Sequence, residues 1–210
     1  MDCRIEAFML SHMTDSAHDK HHIYRVLNIA RDIAKTEPHV NHQVLTAACL
    51  LHDIGRDAQA KDPTKCHAQV GAQMALDFLQ SEGWSLEAAN HVSACISTHR
   101  VRGNNTPQTI EAKILFDADK IDVAGAIGIA RTLMYAGKHD APLYVTKPDG
   151  TIATHKEDSS EDSFVGEYHF KLKKIYGYFY TARGKAIAAG REKAADDFYH
   201  ALLGEIGGLG

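Results

Sequence analysis

Three features of the sequence predict an all-α fold. Apolar residues recur at helical spacing over most of the chain, capping and turn residues fall between those stretches, and only one short segment is β-prone. The first stretch is 18–35, where Ile23, Val26, Leu27, Ala30, Ile33 and Ala34 share a face and Glu37-Pro38 ends the helix. Asn41 is the expected N-cap of a second helix whose Val44, Leu45, Ala48 and Leu51 leave almost no polar side, so it belongs at the centre. That helix runs into His52-Asp53-Ile54-Gly55, with Gly55 expected to end it in the left-handed conformation. Residues 56–65 are polar and read as a loop. Helical spacing returns over 66–79 through Val70, Met74, Ala75, Phe78 and Leu79 and stops at Gly83. Ser85 caps the next helix, with Glu87 near its positive end, and the pattern runs through Ala88, Val92, Cys95 and Ile96 to His99. A loop over 101–106 precedes Pro107, a residue suited to a helix start. The segment 111–134 reads as one long helix or two, with Gly125 and Gly128 marking close packing.

Residues 135–160 break the helical pattern. Leu143-Tyr144-Val145-Thr146 and Thr151-Ile152-Ala153-Thr154 flank Lys147-Pro148-Asp149-Gly150, which predicts a short surface β-hairpin. Two helices follow, over 161–181 and 183–205, the second amphipathic through Ile187, Ala194, Phe198 and Leu202, and the glycine-rich end from Gly207 is expected to fray. The expectation is a single domain over 1–210, with a core of about 17–135, a hairpin insertion of about 140–158 and C-terminal helices of about 161–206.

Composition narrows the function. A chain of 210 residues supports a core without disulfides or metal. With 44% hydrophobic and 24% charged residues, wholesale disorder is excluded. A net charge of −4 argues against a general nucleic-acid binder. No apolar run approaches the roughly 18 residues of a membrane span, and the N-terminal apolar stretch is too short for a signal-peptide core. The four cysteines form no CxxC pair, and Cys49 and Cys95 sit within apolar helical patterns. Buried reduced thiols, and hence a cytoplasmic protein, are expected. Histidine is abundant, at 14 residues, which points to metal or proton chemistry.

The dipeptide His-Asp occurs at His18-Asp19, His52-Asp53 and His139-Asp140. Only the middle copy follows an apolar run, so its carboxylate is expected to be buried and to need a cation or strong donors. A second acidic cluster, Asp117, Asp119 and Asp122, lies inside the apolar segment Ile114 to Val123, where Lys120 supplies one counter-charge. A divalent metal would neutralise the remainder. His22 lies four residues before Val26 on the first long helix. Together His22, His52, Asp53 and Asp119 would form a mixed nitrogen and oxygen site suited to Mn, Fe, Co, Ni or Zn, with positions open to water and substrate.

At these residues the chain resembles the HD-domain metal-dependent phosphohydrolases, in particular a bacterial subgroup of small stand-alone hydrolases. His22-Ile23-Tyr24-Arg25-Val26 is similar to the family's first motif. The run Ala47 to Arg56 containing His52-Asp53 is similar to the second, and Asp117-Ala118-Asp119-Lys120-Ile121-Asp122 with Gly125-Ala126-Ile127-Gly128 to the last. The similarity covers about 17–131 and extends to the C-terminal helices. It implies an HD-type helical bundle with a divalent ion (Mn, Fe, Co, Ni, Zn or Mg) on His22, His52, Asp53 and Asp119. Asp119 is preferred over Asp117 because the family's ligand stands directly before a basic residue. His67 and His99 are implied as ligands of a second ion or as substrate contacts.

The implied reaction is hydrolysis of a phosphate ester or anhydride of a small phosphorylated compound, with nucleotides the first choice. Asp53 would hold the attacking water, His67 would protonate the leaving oxygen, and Lys120, Arg56 and Arg100 would contact substrate phosphate. Two other readings stand beside it: an HD-fold di-iron oxygenase using the larger His/Asp set, and a non-catalytic nucleotide-binding sensor. A homo-oligomer is compatible with the sequence.

Overall fold

Helix α3 (His42–Leu51) is apolar almost all round beyond its first turn, and Val44, Leu45 and the run Ala47 to Leu51 are all buried. A helix with so little polar face must be surrounded. Asn41 starts it as expected, its side chain accepting from the backbone N–H groups of Gln43 and Val44. The computed structural model describes residues 3–13, 20–100, 105–154 and 162–207. The His18-Asp19 pair, residues 101–104 of the expected loop, residues 155–158 of the expected hairpin insertion, Glu161 and the terminal residues 208–210 lie outside them.

The chain forms two compact units, Met1–Asp119 and Lys120–Gly210. In the first, α3 packs against α1 (Cys3–Ser11), α2 (Lys20–Ala34) and α6 (Leu86–Ser97), and α5 (His67–Ser81) packs against α6 and against α4 (Arg56–Lys61). The buried stripe of α2 is His22, Ile23, Val26, Leu27, Ala30, Ile33 and Ala34, two spaced pairs per two turns. Helix α5 buries mainly small residues, Ala68, Gly71, Ala72 and Ala75, which lets neighbouring backbone come close. Ser85 caps α6 by accepting from Ala88 N–H. Helix α7 (Ile110–Ile121) buries Ala112, Ile114, Leu115, Phe116 and Ala118.

Several expectations need correction. The polar stretch after Gly55 is not all loop: its first six residues form α4. Gly55 does not adopt a left-handed conformation; its φ is −82°. Its need is space, since a methyl there would lie 2.3 Å from the His67 carbonyl oxygen and 2.6 Å from Gly71 N. Helix α7 begins at Ile110 rather than at Pro107, with the Thr109 hydroxyl accepting from Ala112 N–H. Of the two readings open for 111–134, the two-helix one is found: the chain breaks before Gly125, whose φ of +66° an L side chain rarely adopts.

In the second unit, α8 (Gly125–Lys138) packs against α10 (Ala182–Ile206) and the short α9 (Phe164–Glu167). Its core is Ile129, Phe164, Val165, Tyr168, Leu172, Ala195 and Tyr199. The helix expected over 161–181 is instead α9, a π turn at Tyr168–Leu172 and a 3-10 turn at Ile175–Gly177. The expected hairpin does not form strands among the described residues. A single antiparallel bridge joins Thr146 to Ile152, with Gly150 N–H donating to Lys147 across the turn. The chain turns at Pro148-Asp149-Gly150, but one bridge offers too little pairing to build a ladder.

Candidate metal centre

The first unit brings six sequence-predicted side chains together. His22 sits near the start of the α2 stripe, so the apolar contacts that bury Ile23 and Val26 carry its imidazole inward. His52 and Asp53 follow the last turn of α3 and are fully buried with it. Asp119 lies in the last turns of α7. His67 is the first residue of α5, and His99 follows α6 in line with Val92, Cys95 and Ile96. Close approach of Gly55 to His67 and Gly71 brings the start of α5 against the turn that carries Asp53.

Two clusters result, and Asp53 lies between them. In one, His22 Nε2 is 3.2 Å from His52 Nε2, 3.5 Å from Asp53 Oδ2 and 3.5 Å from Asp119 Oδ1. His52 Nε2 is 3.7 Å from Asp53 Oδ2 and 3.8 Å from Asp119 Oδ1. In the other, His67 Nε2 is 3.3 Å from His99 Nε2, and the two lie 3.4 and 3.7 Å from Asp53 Oδ1. Asp117 is buried but belongs to neither cluster, while Asp122 pairs with Arg131 at 2.8 Å.

Hydrogen bonding sets the ring tautomers. His52 Nδ1 donates to the Cys49 carbonyl at 2.8 Å and His99 Nδ1 to the Ile96 carbonyl at 2.6 Å. His67 Nδ1 donates to Gln59 Oε1 at 2.6 Å. A carbonyl oxygen only accepts, so each Nδ1 carries the proton, and a neutral ring then presents a lone pair at Nε2. Burial drives the His52 ring down to about 4 and, with the Arg56 charge adding to it, the His67 ring down to about 2, so both are neutral near pH 7. Burial pushes the Asp53 carboxyl up, but Arg56 and the surrounding imidazoles outweigh it and hold the group well below the usual carboxylate range. Arg56 Nε donates to Asp53 Oδ1 at 2.9 Å.

These groups fit a divalent cation. Asp53 Oδ2 is buried and has no hydrogen-bond partner among the described residues. At the second cluster, the Nε2 atoms of His67 and His99 and a carboxylate oxygen face one another within a buried site, an arrangement that a cation between them would stabilise. Ligand atoms about 2.1 Å from a shared ion lie roughly 3.0–3.4 Å apart, close to the separations observed.

The remaining candidates are placed as follows. Arg100 is half-buried, with Nη1 3.7 Å from Cys66 Sγ. Lys120 is half-buried and is the first residue of the second unit. Cys49 and Cys95 are free and buried, as expected; burial raises both thiols, Cys95 to about 12. Sequence reasoning missed Gln59. It lies in the polar stretch read as loop, and nothing in its spacing from His67 marks it. No helix among the described residues is long and apolar enough to cross a membrane.

A family model described as HD domain matches residues 20–124. The Bacillus subtilis (strain 168) protein YpgQ is 30% identical, covering 98% of this chain and 94% of that protein. The crystal structure of Bacillus subtilis YpgQ in complex with ADP has the same fold, with a TM-score of 0.76 at 24% identity over 100% of both chains. The structure of an HD-superfamily hydrolase from Bacillus thuringiensis is similar at 27% identity, with a TM-score of 0.72 and 97% of each chain covered.

Proposed function

The chain belongs to the HD domain family, and we propose that it is a metal-dependent phosphohydrolase acting on a phosphate ester or anhydride of a small phosphorylated compound, a nucleotide first among them. The observation that carries this reading is the meeting of His67 Nε2 and His99 Nε2, 3.3 Å apart, beside the Asp53 carboxylate. A cation held between these atoms relieves that crowding without charging a buried ring. His22, His52, Asp119 and Asp53 Oδ2 would hold one ion and His67, His99 and Asp53 Oδ1 a second, with Asp53 shared. Imidazole and carboxylate donors without thiolate suit Mn, Fe, Co, Ni, Zn or Mg.

An ion held here supplies activation of water for attack and withdrawal of charge from a phosphoryl oxygen. The chain's own residues do the rest. Asp53 stays ionised and holds the attacking water in line as a hydrogen-bond acceptor. Arg56 acts through Asp53, which occupies its Nε, keeping the carboxylate charged and oriented. Arg100 is assigned to the charge that spreads over the phosphoryl oxygens. For His67, a ring kept neutral with its Nδ1 proton already donated to Gln59 supports a ligand role over that of proton donor to the leaving oxygen. The ADP complex of YpgQ supports a nucleotide as the substrate class.

The test is a screen of nucleoside phosphates and simple phosphate esters with the chelated protein reloaded with Mn, Co, Ni or Mg, under anaerobic conditions. Phosphate or pyrophosphate release is expected. Asp53→Ala is expected to lose bound metal and to lower turnover by about 1,000-fold or more. Retention of both by Asp53→Ala overturns the reading. Oxygen consumption with an iron-loaded protein and a C–H substrate would favour the oxygenase, and tight nucleotide binding without turnover on any metal would favour the sensor.

A further inference from the structure

The three rings with assigned tautomers are not held alike. His52 and His99 each close the end of a helix, and each donates Nδ1–H to a backbone carbonyl three residues upstream, at Cys49 and Ile96. Those acceptors belong to the helix itself, so no side-chain substitution removes them. His67 opens its helix instead. It follows Cys66, the N-cap, whose backbone is extended, with φ −91° and ψ 115°. No preceding helical turn lies within reach to offer a carbonyl. Its Nδ1 proton goes to the Gln59 side chain, at 2.6 Å, on the neighbouring six-residue helix α4.

We propose that Gln59 is the positioning residue of this centre: by accepting the Nδ1 proton of His67 it keeps the His67 Nε2 lone pair turned toward His99 Nε2 and Asp53 Oδ1, and so sets the occupancy of the second cation position independently of the first. This rests on the two-position reading given above. Without that acceptor, the ring gains freedom to rotate or to move its proton to Nε2, and either change removes a ligand atom from the second position only. The first position draws on His22, His52, Asp119 and Asp53 Oδ2, whereas the Gln59 side chain is bonded to His67. Gln59 is half-buried, so its replacement leaves the buried core of the unit intact. Partners that orient a ligating histidine are typically worth about 10–100-fold in metal affinity.

The experiment measures Mn2+ bound per chain by equilibrium dialysis, with electron paramagnetic resonance reading the magnetic coupling between neighbouring ions. Wild type, Gln59→Leu, Gln59→Met and Gln59→Glu are compared. Wild type is expected to take up two ions with a coupled signal. Gln59→Leu and Gln59→Met should bind the first ion with unchanged affinity, bind the second about 10–100-fold more weakly and lose the coupled signal. Gln59→Glu, which keeps an acceptor oxygen, should restore both ions. The proposal is overturned if Leu and Met variants bind two ions as tightly as wild type, if both variants lose the two ions together, or if Glu fails to rescue. A wild-type chain that takes up fewer than two ions overturns it along with the two-position reading, so the wild-type arm separates the two failures.

Discussion

Two imidazoles of the centre extend an apolar stripe. His22 continues the buried face of α2, and His99 continues the line of Val92, Cys95 and Ile96. Hydrophobic burial thus carries titratable groups inside, and the consequence is a pH-dependent stability. The His52 ring lies at about 4 and the His67 ring at about 2, against an ordinary 6.5. Below pH 6.5 the unfolded chain takes up protons that the folded chain refuses. Stability is therefore fully present above that pH and is lost as pH falls toward 4, by up to about 1.4 kcal/mol per pH unit for each ring. Urea unfolding of the chelated protein at pH 7, 6 and 5 should show a falling midpoint. A constant midpoint would contradict the burial of neutral rings at these positions.

At the scale of elements, a close approach decides whether the second cluster exists. Asp53 leaves the end of α3 and His67 starts α5, and they meet because Gly55 and Gly71 lack side chains. A methyl at Gly55 would sit 2.3 Å from the His67 carbonyl oxygen, whereas one at Gly71 would sit 3.2 Å from Gly55 N. Gly55→Ala is expected to destabilise the protein by about 1–3 kcal/mol or more and to abolish the second Mn2+. Gly71→Ala should do less of both. Thermal melts with metal counting check this, and equal effects of the two substitutions would mean that the approach at Gly55 is not the constraint. The same contact explains why the Gly55 conformation was misread: sequence shows that a glycine is needed without showing whether the need is a positive φ or an absent Cβ.

For the molecule as a whole, an ion held by these buried groups would link metal to folding. An ion that binds only the folded state adds about 2.7 kcal/mol at a concentration of 100 times its Kd. For a chain of this size that is a rise in Tm of about 5–10 °C. Differential scanning fluorimetry of the chelated protein with added Mn, Co, Ni or Mg should show the rise for at least one metal. It should vanish in Asp53→Ala, which removes the carboxylate shared by both clusters. No rise with any metal would remove the thermodynamic basis of the centre.

The sequence by itself determined the helices with one clear apolar stripe, and its family resemblance pointed to the six side chains that the first unit brings together. Asn41, Ser85, the α3 run and the His52-Asp53 pair were legible because capping and periodicity are local physics. Only the tertiary structure decided what depends on a partner far along the chain. In α10 the sequence pointed to Ala194 and Phe198, yet the buried face is Gly184, Ala188, Ala195 and Tyr199. Tyr199 wins because it stacks on Tyr168 with ring centroids 4.2 Å apart, while Tyr168 donates to Asp196 at 2.7 Å. A hydrophobicity pattern ranks Phe above Tyr and contains no term for a stacked ring or a hydrogen-bond acceptor. The same limit hid Gln59: its acceptor oxygen matters only once α4 and α5 are packed together, and an orientation imposed across two elements leaves no periodicity to read.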